Sequence, residues 1–290
     1  MKEKRVNSIF EKILFGIDLK IEYKDKYFEL YKIKDTTNFL LIEYAVDSHV
    51  QIPKVLLKSF TTNNQLYYID LSEKKIKRSG EGTFNTKFGY FSKIYEDFLS
   101  TRYENVIGVL KKLVENFYNG EIDKIELKKY VKIMKELFII ADFRNPDFIK
   151  RINEKSFTSF IFGGYTTEHM TSIAMQEKLI DFYDDREIFL VLNKTDKNFL
   201  TCKSMYYTLS VDGGNICLFM PLHPKYGIIL VSSEYYKKKT MCGGKYISIE
   251  KDFVINQSND IFIKSIIKNK NECIIGKKED LEQIKKDYNI

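Results

Sequence analysis

Three side chains far apart in the sequence have the types needed for acid–base chemistry on an anionic substrate. His49 stands in "SHVQIPKVLLKSF", Glu104 in "TRYENVIGVL" and Arg144 in "ADFRNP". An imidazole at a loop–helix junction, stiffened here by Pro53, can give or take a proton because its ordinary pKa lies near neutrality. Glu104 falls near the edge of an apolar stripe marked by Phe98 and Ile107, and a carboxylate partly inside a core needs a partner. Arg144 can supply it, since consecutive helices joined by a short loop pack antiparallel. In a shared cleft, His49 would shuttle protons, Glu104 would activate water or orient the imidazole, and Arg144 would hold a phosphate. Each residue also has a plainer reading: a turn histidine, and a Glu–Arg bridge that braces the fold.

A second set reads as substrate-binding. "NFLTCKSMYYTL" predicts a strand ending in small polar residues, with Thr201 and Lys203 beside Cys202. Cys202 would be a nucleophile only if a neighbouring cation lowered its pKa, and a buried strand cysteine is the ordinary case. Asn256, in "VINQSND" before a predicted helix, is a cap or a ligand contact. His223, between two prolines in "MPLHPKYGIIL", reads as a surface turn, and His169 as an exposed residue in the first turns of a helix. The chain carries no GxGxxG after a strand, no Walker loop, no HExxH, no GxSxG and no DxDxG loop, so neither a nucleotide-binding nor a metal-binding motif identifies a cofactor.

The elements that must position these groups follow from hydrophobic period. Residues 1–47 read as a short amphipathic helix and three alternating stretches suited to a small antiparallel sheet, an N-terminal extension. Residues 48–290 read as the main domain. It opens with a short helix at "PKVLLKSF", a turn at "TTNNQ" and a hairpin at "LYYIDLSEKKIKR". Three helices follow. The first carries Ile107, Leu110 and Val114 and stops at Gly120; the second carries Leu127, Val131, Met134 and Phe138 and ends before Pro146; the third is "TEHMTSIAMQEKLIDFYDD". From residue 186 the period changes to strands, with a helix from Asn256 and a terminal strand and helix. The pattern predicts an α+β fold, an antiparallel sheet with a central helical cluster and a short N-terminal extension.

Composition narrows the class. With 290 residues, 44% of them hydrophobic, the chain can bury a substantial core. Its 47 basic and 40 acidic residues leave a net charge of +7, without the stripe of a dedicated nucleic-acid binder. The basic runs, "KKIKR" and "YYKKKT", are short and suit solvated turns. Abundant Lys, Ile, Asn, Tyr and Phe fit an AT-rich bacterial genome, so the aromatic content is weak evidence of base stacking. Four cysteines without a CxxC pair argue against zinc and for reduced thiols. Neither a signal peptide nor an apolar run of the roughly 18 residues that would span a membrane is present, so a soluble, cytoplasmic protein is expected.

The order of these motifs resembles a bacterial family, the domain of unknown function 4238. "HVQIPKVLLKSFTTNNQLYYID" resembles its opening, "FLSTRYENVIGVLKKL" its helix with a fixed glutamate (Glu104), and "ELFIIADFRNPDF" its Arg-x-Pro helix end (Arg144, Pro146). "FLTCKSMYYTL" falls where the family has Thr-Ser-Asp-Asn-Pro, "MPLHPKYGIIL" where it has Pro-Leu-Ser-Pro, and Asn256 at its late asparagine. Lys203 thus stands in place of an Asp, Cys202 of a Ser and His223 of a Ser. The resemblance carries positions rather than an activity. Two functions are expected: a phosphodiester hydrolase, nuclease-like and acting in a defence or toxin setting, or a non-catalytic module that binds a nucleotide, nucleic acid or protein through a degenerate site.

Overall fold

The computed structural model describes residues 19–24, 28–33, 39–43, 49–50, 52–80, 84–86, 100–121, 130–144, 186–211, 215–232, 246–268 and 272–290. The predicted helix near residues 5–15, the helix at "TEHMTSIAMQEKLIDFYDD" and the second basic run lie outside these residues. The chain divides into two units. The first takes residues 1–49 together with 86–100 and 146–176, so the N-terminal segment shares its unit with two later stretches; the second takes 50–85, 101–145 and 177–290.

In the first unit, strands β1 (Leu19–Lys24), β2 (Phe28–Ile33) and β3 (Phe39–Glu43) form an antiparallel meander. This is the small sheet that the alternating pattern predicts. The chain passes between units at two-residue strands, β4 (His49–Val50) and, later, β7 (Asn85–Thr86).

The second unit begins with α1 (Lys54–Leu57) and a tighter turn, Lys58–Phe60, behind Pro53. Asn63 and Asn64 then both take left-handed backbone (φ 51° and 58°), and Thr62 and Gln65 bond each other across them in both directions at 2.8 and 2.9 Å. Asparagine tolerates that region, which is why "TTNNQ" turns so tightly. The hairpin of β5 (Leu66–Asp70) and β6 (Lys75–Ser79) follows. Its turn is held by Asp70, whose Oδ1 accepts from Ser72 N at 2.9 Å while Lys77 Nζ reaches Oδ2 at 2.7 Å and Glu73 Oε1 at 2.5 Å. These contacts hold the Asp70 carboxyl well below its usual range, the Lys77 bond contributing most.

Helix α2 (Asn105–Tyr118) is entered through a wider turn, Ser100–Glu104, and buries Ile107, Leu110 and Val114. Gly120 ends it at φ 76°, with Gly120 N bonded to Phe117 O (3.2 Å) and Glu121 N to Asn116 O (2.8 Å). That pair of bonds is the Schellman stop that a glycine at this position predicts. Helix α3 (Val131–Phe143) buries Met134, Leu137, Phe138 and Ala141.

The large sheet is formed by β8 (Arg186–Asn193), β9 (Tyr207–Val211), β10 (Asn215–His223), β11 (Tyr226–Ser232) and β12 (Tyr246–Ile249), in the order β12-β8-β11-β10-β9. It is antiparallel except at one edge, where β12 joins β8 in parallel. Helix α4 (Asp252–Ile266) and helix α5 (Lys278–Tyr288) close the core, and β13 (Cys273–Gly276) adds to β5. Phe199, Phe219, Tyr207 and Phe262 meet at its centre, with ring centroids 4.4–5.4 Å apart. The architecture is α+β, as the sequence predicts.

Two predicted elements differ. "NFLTCKS" forms no strand: only Thr201 makes a bridge, to Ile275, through bonds of 3.0 and 2.8 Å. Its other backbone groups are drawn elsewhere, Phe199 N to Pro224 O (2.9 Å) and Asn198 O to the Asn259 amide (2.9 Å). The helix expected from Asn256 starts at Asp252, whose carboxylate suits the positive end of the first turn.

Gly227 in β11 tests this packing. A Cβ there would meet the main-chain oxygen of Met220 at 2.7 Å and the Phe219 ring at 2.8 Å, neither free to move. At Gly276 the near atom is a Leu200 methyl, also at 2.7 Å, which can rotate aside. Gly227→Ala is expected to cost about 2–3 kcal/mol of overpacking and Gly276→Ala clearly less. Urea unfolding of both variants measures the difference, and equal costs would contradict the packing described.

Candidate functional site

The turn before α2 and the end of α3 meet through one ion pair. Arg144 donates from a terminal guanidinium nitrogen to Glu104 Oε1 at 3.0 Å. The two ends are not equally sheltered: Arg144 keeps 1% of its side-chain surface exposed and Glu104 keeps 24%. The pair borders a cavity of about 10 Å³, room for about one water molecule. The rest of its wall is apolar, made by Pro53 and Leu56 beside α1, Ile107 on α2, Leu137 on α3, and Met205 and Met220. Burying a guanidinium against such a wall is costly unless a carboxylate meets it, and Glu104 does so.

His49 lies in β4, at the end of the first unit, and its side chain falls outside the described residues. Glu104 and Arg144 are therefore the two members of the expected trio whose contact is described.

The predicted substrate-binding residues fall in three different settings. Thr201 is buried and contributes its backbone to the bridge with Ile275. Lys203 is half-buried, and its main-chain N–H donates to Glu272 Oε2 at 3.1 Å while the Ser204 hydroxyl donates to Oε1. The loop where the family resemblance expects an Asp is thus held by a carboxylate reaching in from Glu272. Met205, where that pattern has a proline, takes φ 63°, which a proline ring cannot adopt. Asn256 sits exposed within α4, so it is not the helix cap expected of it. The helix starts four residues earlier because Ile255 belongs to its buried face with Phe262, Ile263 and Ile266. Cys202 is buried and its thiol is pushed well up by burial, the opposite of an activated nucleophile. Among the described residues, no group of three or more His, Cys, Asp and Glu side chains could hold a metal ion.

A second polar cluster lies two turns further along α2. Lys111 is largely buried, and its ammonium donates to the main-chain oxygen of Val55 and to the Ser59 hydroxyl. Burial pushes its pKa down to about 8, with Lys58 acting in the same direction and Glu115 against it. His223, at the end of β10, stacks on Tyr226 (centroids 4.6 Å apart, planes at 11°), and the Tyr226 hydroxyl donates to Lys111 O at 3.5 Å. Lys277, just before α5, donates to Thr61 O at 2.5 Å. Burial, reinforced by Lys111, Lys277 and Lys225, pushes His223 down to about 4. The sequence holds one signal of this cluster: Lys111 falls on the buried stripe Glu104–Ile107–Lys111–Val114–Tyr118, where an apolar residue is expected.

The family model of a protein of unknown function, DUF4238, matches residues 49–279. The chain belongs to that family, and the match covers both the Glu104–Arg144 pair and the Lys111–His223 cluster. No curated protein and no solved structure matches it.

Removing Glu104 takes the carboxylate at 3.0 Å away from a buried guanidinium. Glu104→Ala is expected to cost about 3 kcal/mol, the low end for breaking a buried pair because Glu104 is partly solvated. The double replacement Glu104→Leu with Arg144→Met is expected to recover most of that loss. Urea unfolding of the single and double variants tests it, and additive losses would contradict the coupling.

For His223 the sign is set by its depressed pKa. The unfolded imidazole titrates near 6.5, the folded one near 4. Between those values the unfolded chain binds more protons, so stability is lost as pH falls from about 6.5 through 4. On the order of 2 kcal/mol is expected from this residue, allowing for its partial solvation. Denaturant midpoints across that range check it, and His223→Gln should flatten the slope.

Proposed function

We propose that the chain is a non-catalytic binding module for a nucleotide or nucleic acid. One observation carries this reading: Arg144, the group expected to hold a substrate phosphate, is 1% exposed, already paired with Glu104, and beside a cavity that fits about one water. A phosphodiester cannot reach that guanidinium without displacing the carboxylate and opening the wall. Lys203, where the family resemblance expects an Asp, points the same way, since an acid–base group is exchanged for a cation. The net charge of +7 favours an anionic ligand. Cys202, Cys217 and Cys273 are buried free thiols, which supports a reducing, cytoplasmic setting. No helix among the described residues is long and apolar enough to cross a membrane.

A second reading has its own support. Glu104 keeps 24% of its side chain exposed and faces a space the size of one water, the minimum for activating a hydrolytic nucleophile. In that reading Arg144 would steady developing charge and His49 is the expected proton carrier, as in a nuclease-like effector. Purified protein and its His49→Ala variant, incubated with RNA, single-stranded DNA and a chromogenic phosphodiester, separate the two. The expected result is no turnover by either, with at least one nucleotide or oligonucleotide raising the melting temperature of the wild type without being consumed. Turnover by the wild type that the variant loses would establish the hydrolase instead.

A further inference from the structure

The sequence holds one Asn–Gly pair, Asn119–Gly120, and it falls at the C-terminal end of α2. An Asn–Gly step can modify itself. The glycine nitrogen attacks the asparagine Cγ, unhindered because glycine carries no Cβ. The Gly120 N–Cγ bond forms, the Cγ–Nδ2 bond breaks, and ammonia leaves with the proton of the Gly120 N–H. Water then opens the five-membered imide at either carbonyl, leaving an aspartate or its β-linked isomer, with no oxidant or reductant consumed. Both residues are exposed, and a Cβ built on Gly120 would meet no atom within 4 Å, so solvent reaches the step.

The folded helix end holds the pair out of reaction. Asn119 has φ −81° and ψ −5°, which eclipses Gly120 N with the nitrogen of Asn119 itself rather than with its Cβ. Ring closure needs the second arrangement, so the Asn119–Gly120 peptide must rotate. Rotation breaks the bond from Gly120 N to Phe117 O (3.2 Å) and disturbs that from Glu121 N to Asn116 O (2.8 Å). One residue back, Lys194 Nζ donates to Tyr118 O at 2.8 Å and lies 3.7 Å from the centre of the Tyr118 ring. The Tyr118 hydroxyl in turn donates to Asn193 O at 2.8 Å. The end of β8 thus clamps the last turn of α2 from outside the helix. Reaction passes through local opening of that turn, and its rate scales with the fraction opened.

We infer that Asn119 is a self-modification site of this chain, restrained by Asn193 and Lys194 through their hold on the last turn of α2. This does not depend on the binding-module reading. The product changes the helix as well as the residue. Its carboxylate stands four residues from Glu115 and two from Glu121, at the negative end of the helix dipole, where a new anion is unfavourable. Lys194 attracts that carboxylate, but it is exposed and water screens it. The β-linked isomer also lengthens the main chain by one carbon, so the closing bonds at Gly120 and Glu121 lose their register. The modified chain therefore opens more readily at Tyr118 than the chain it came from.

The test incubates the full chain at neutral pH, folded or unfolded in urea, and follows amide-to-acid conversion by mass in the peptide that holds Asn119. In the unfolded chain Asn119 is expected to convert before any other asparagine, and in the folded chain about tenfold more slowly or less. Lys194→Met is expected to speed conversion in the folded chain about threefold, the share of one exposed hydrogen bond, and to leave the unfolded rate unchanged. Asn119→Gln is expected to abolish the fast conversion, and Asn119→Asp to lower the urea midpoint. Both aspartate and its β-linked isomer are expected, as imide opening requires; aspartate alone would overturn the ring-closure route. Equal rates in the folded and unfolded chain, or another asparagine converting first, would overturn the site. An unchanged rate in Lys194→Met and in Tyr118→Phe, which loses the bond to Asn193, would overturn the clamp. An unchanged midpoint in Asn119→Asp would overturn the consequence drawn for α2.

Discussion

A guanidinium with 1% of its side chain exposed must have a negative partner close by, and Glu104 at 3.0 Å is that partner. Much of the second unit's arrangement follows from this requirement. The wide turn Ser100–Glu104 sets the carboxylate at the entry of α2, and α3 ends on the arginine, so the pair ties two helices at their facing ends. Pro53, Leu56, Met205 and Met220 then close over it. The apolar wall removes water from the pair, which strengthens the attraction and raises the penalty for losing either member. Family membership over residues 49–279 places this contact inside the shared part of the chain.

Much of this is legible in the residues themselves. The alternation of "KYFELYKI" and the long apolar runs of "REIFLVLN" and "NICLFMPL" are strand signals, and each forms a strand. Gly120 signals the stop of α2 because only glycine takes φ 76° without strain. The Glu104–Arg144 partnership is legible too, from a carboxylate on the edge of an apolar stripe and an arginine at the next helix end. The pattern misleads where other groups capture the backbone. "NFLTCKS" has the composition of a strand, but the Asn259 amide takes the Asn198 carbonyl and Pro224 O takes the Phe199 N–H, so no ladder forms. Asn256 looks like a cap, yet the buried position of Ile255 pulls the helix start back to Asp252.

The Lys111 cluster is hidden for a different reason. Its members lie at 111, 223 and 277, in three elements with no common motif, and the packing of the turn Lys58–Phe60 between them brings them together. A histidine between two prolines gives no hint that a tyrosine three residues later will stack under it. The basic runs that do stand out in the sequence are less informative. In the first of them Lys77 is neutralised within its own hairpin by Asp70 and Glu73.

One face of α2 thus carries two opposite treatments of buried charge. At Glu104 a cation is met by an anion, so the field outside the pair is small and the contact acts mainly to hold helices together. Two turns on, Lys111 is met by a carbonyl and a hydroxyl, which replace its lost hydration but leave its charge. Dipoles solvate without cancelling, so the residual field extends to His223 and lowers its proton affinity, in addition to the ring's own burial.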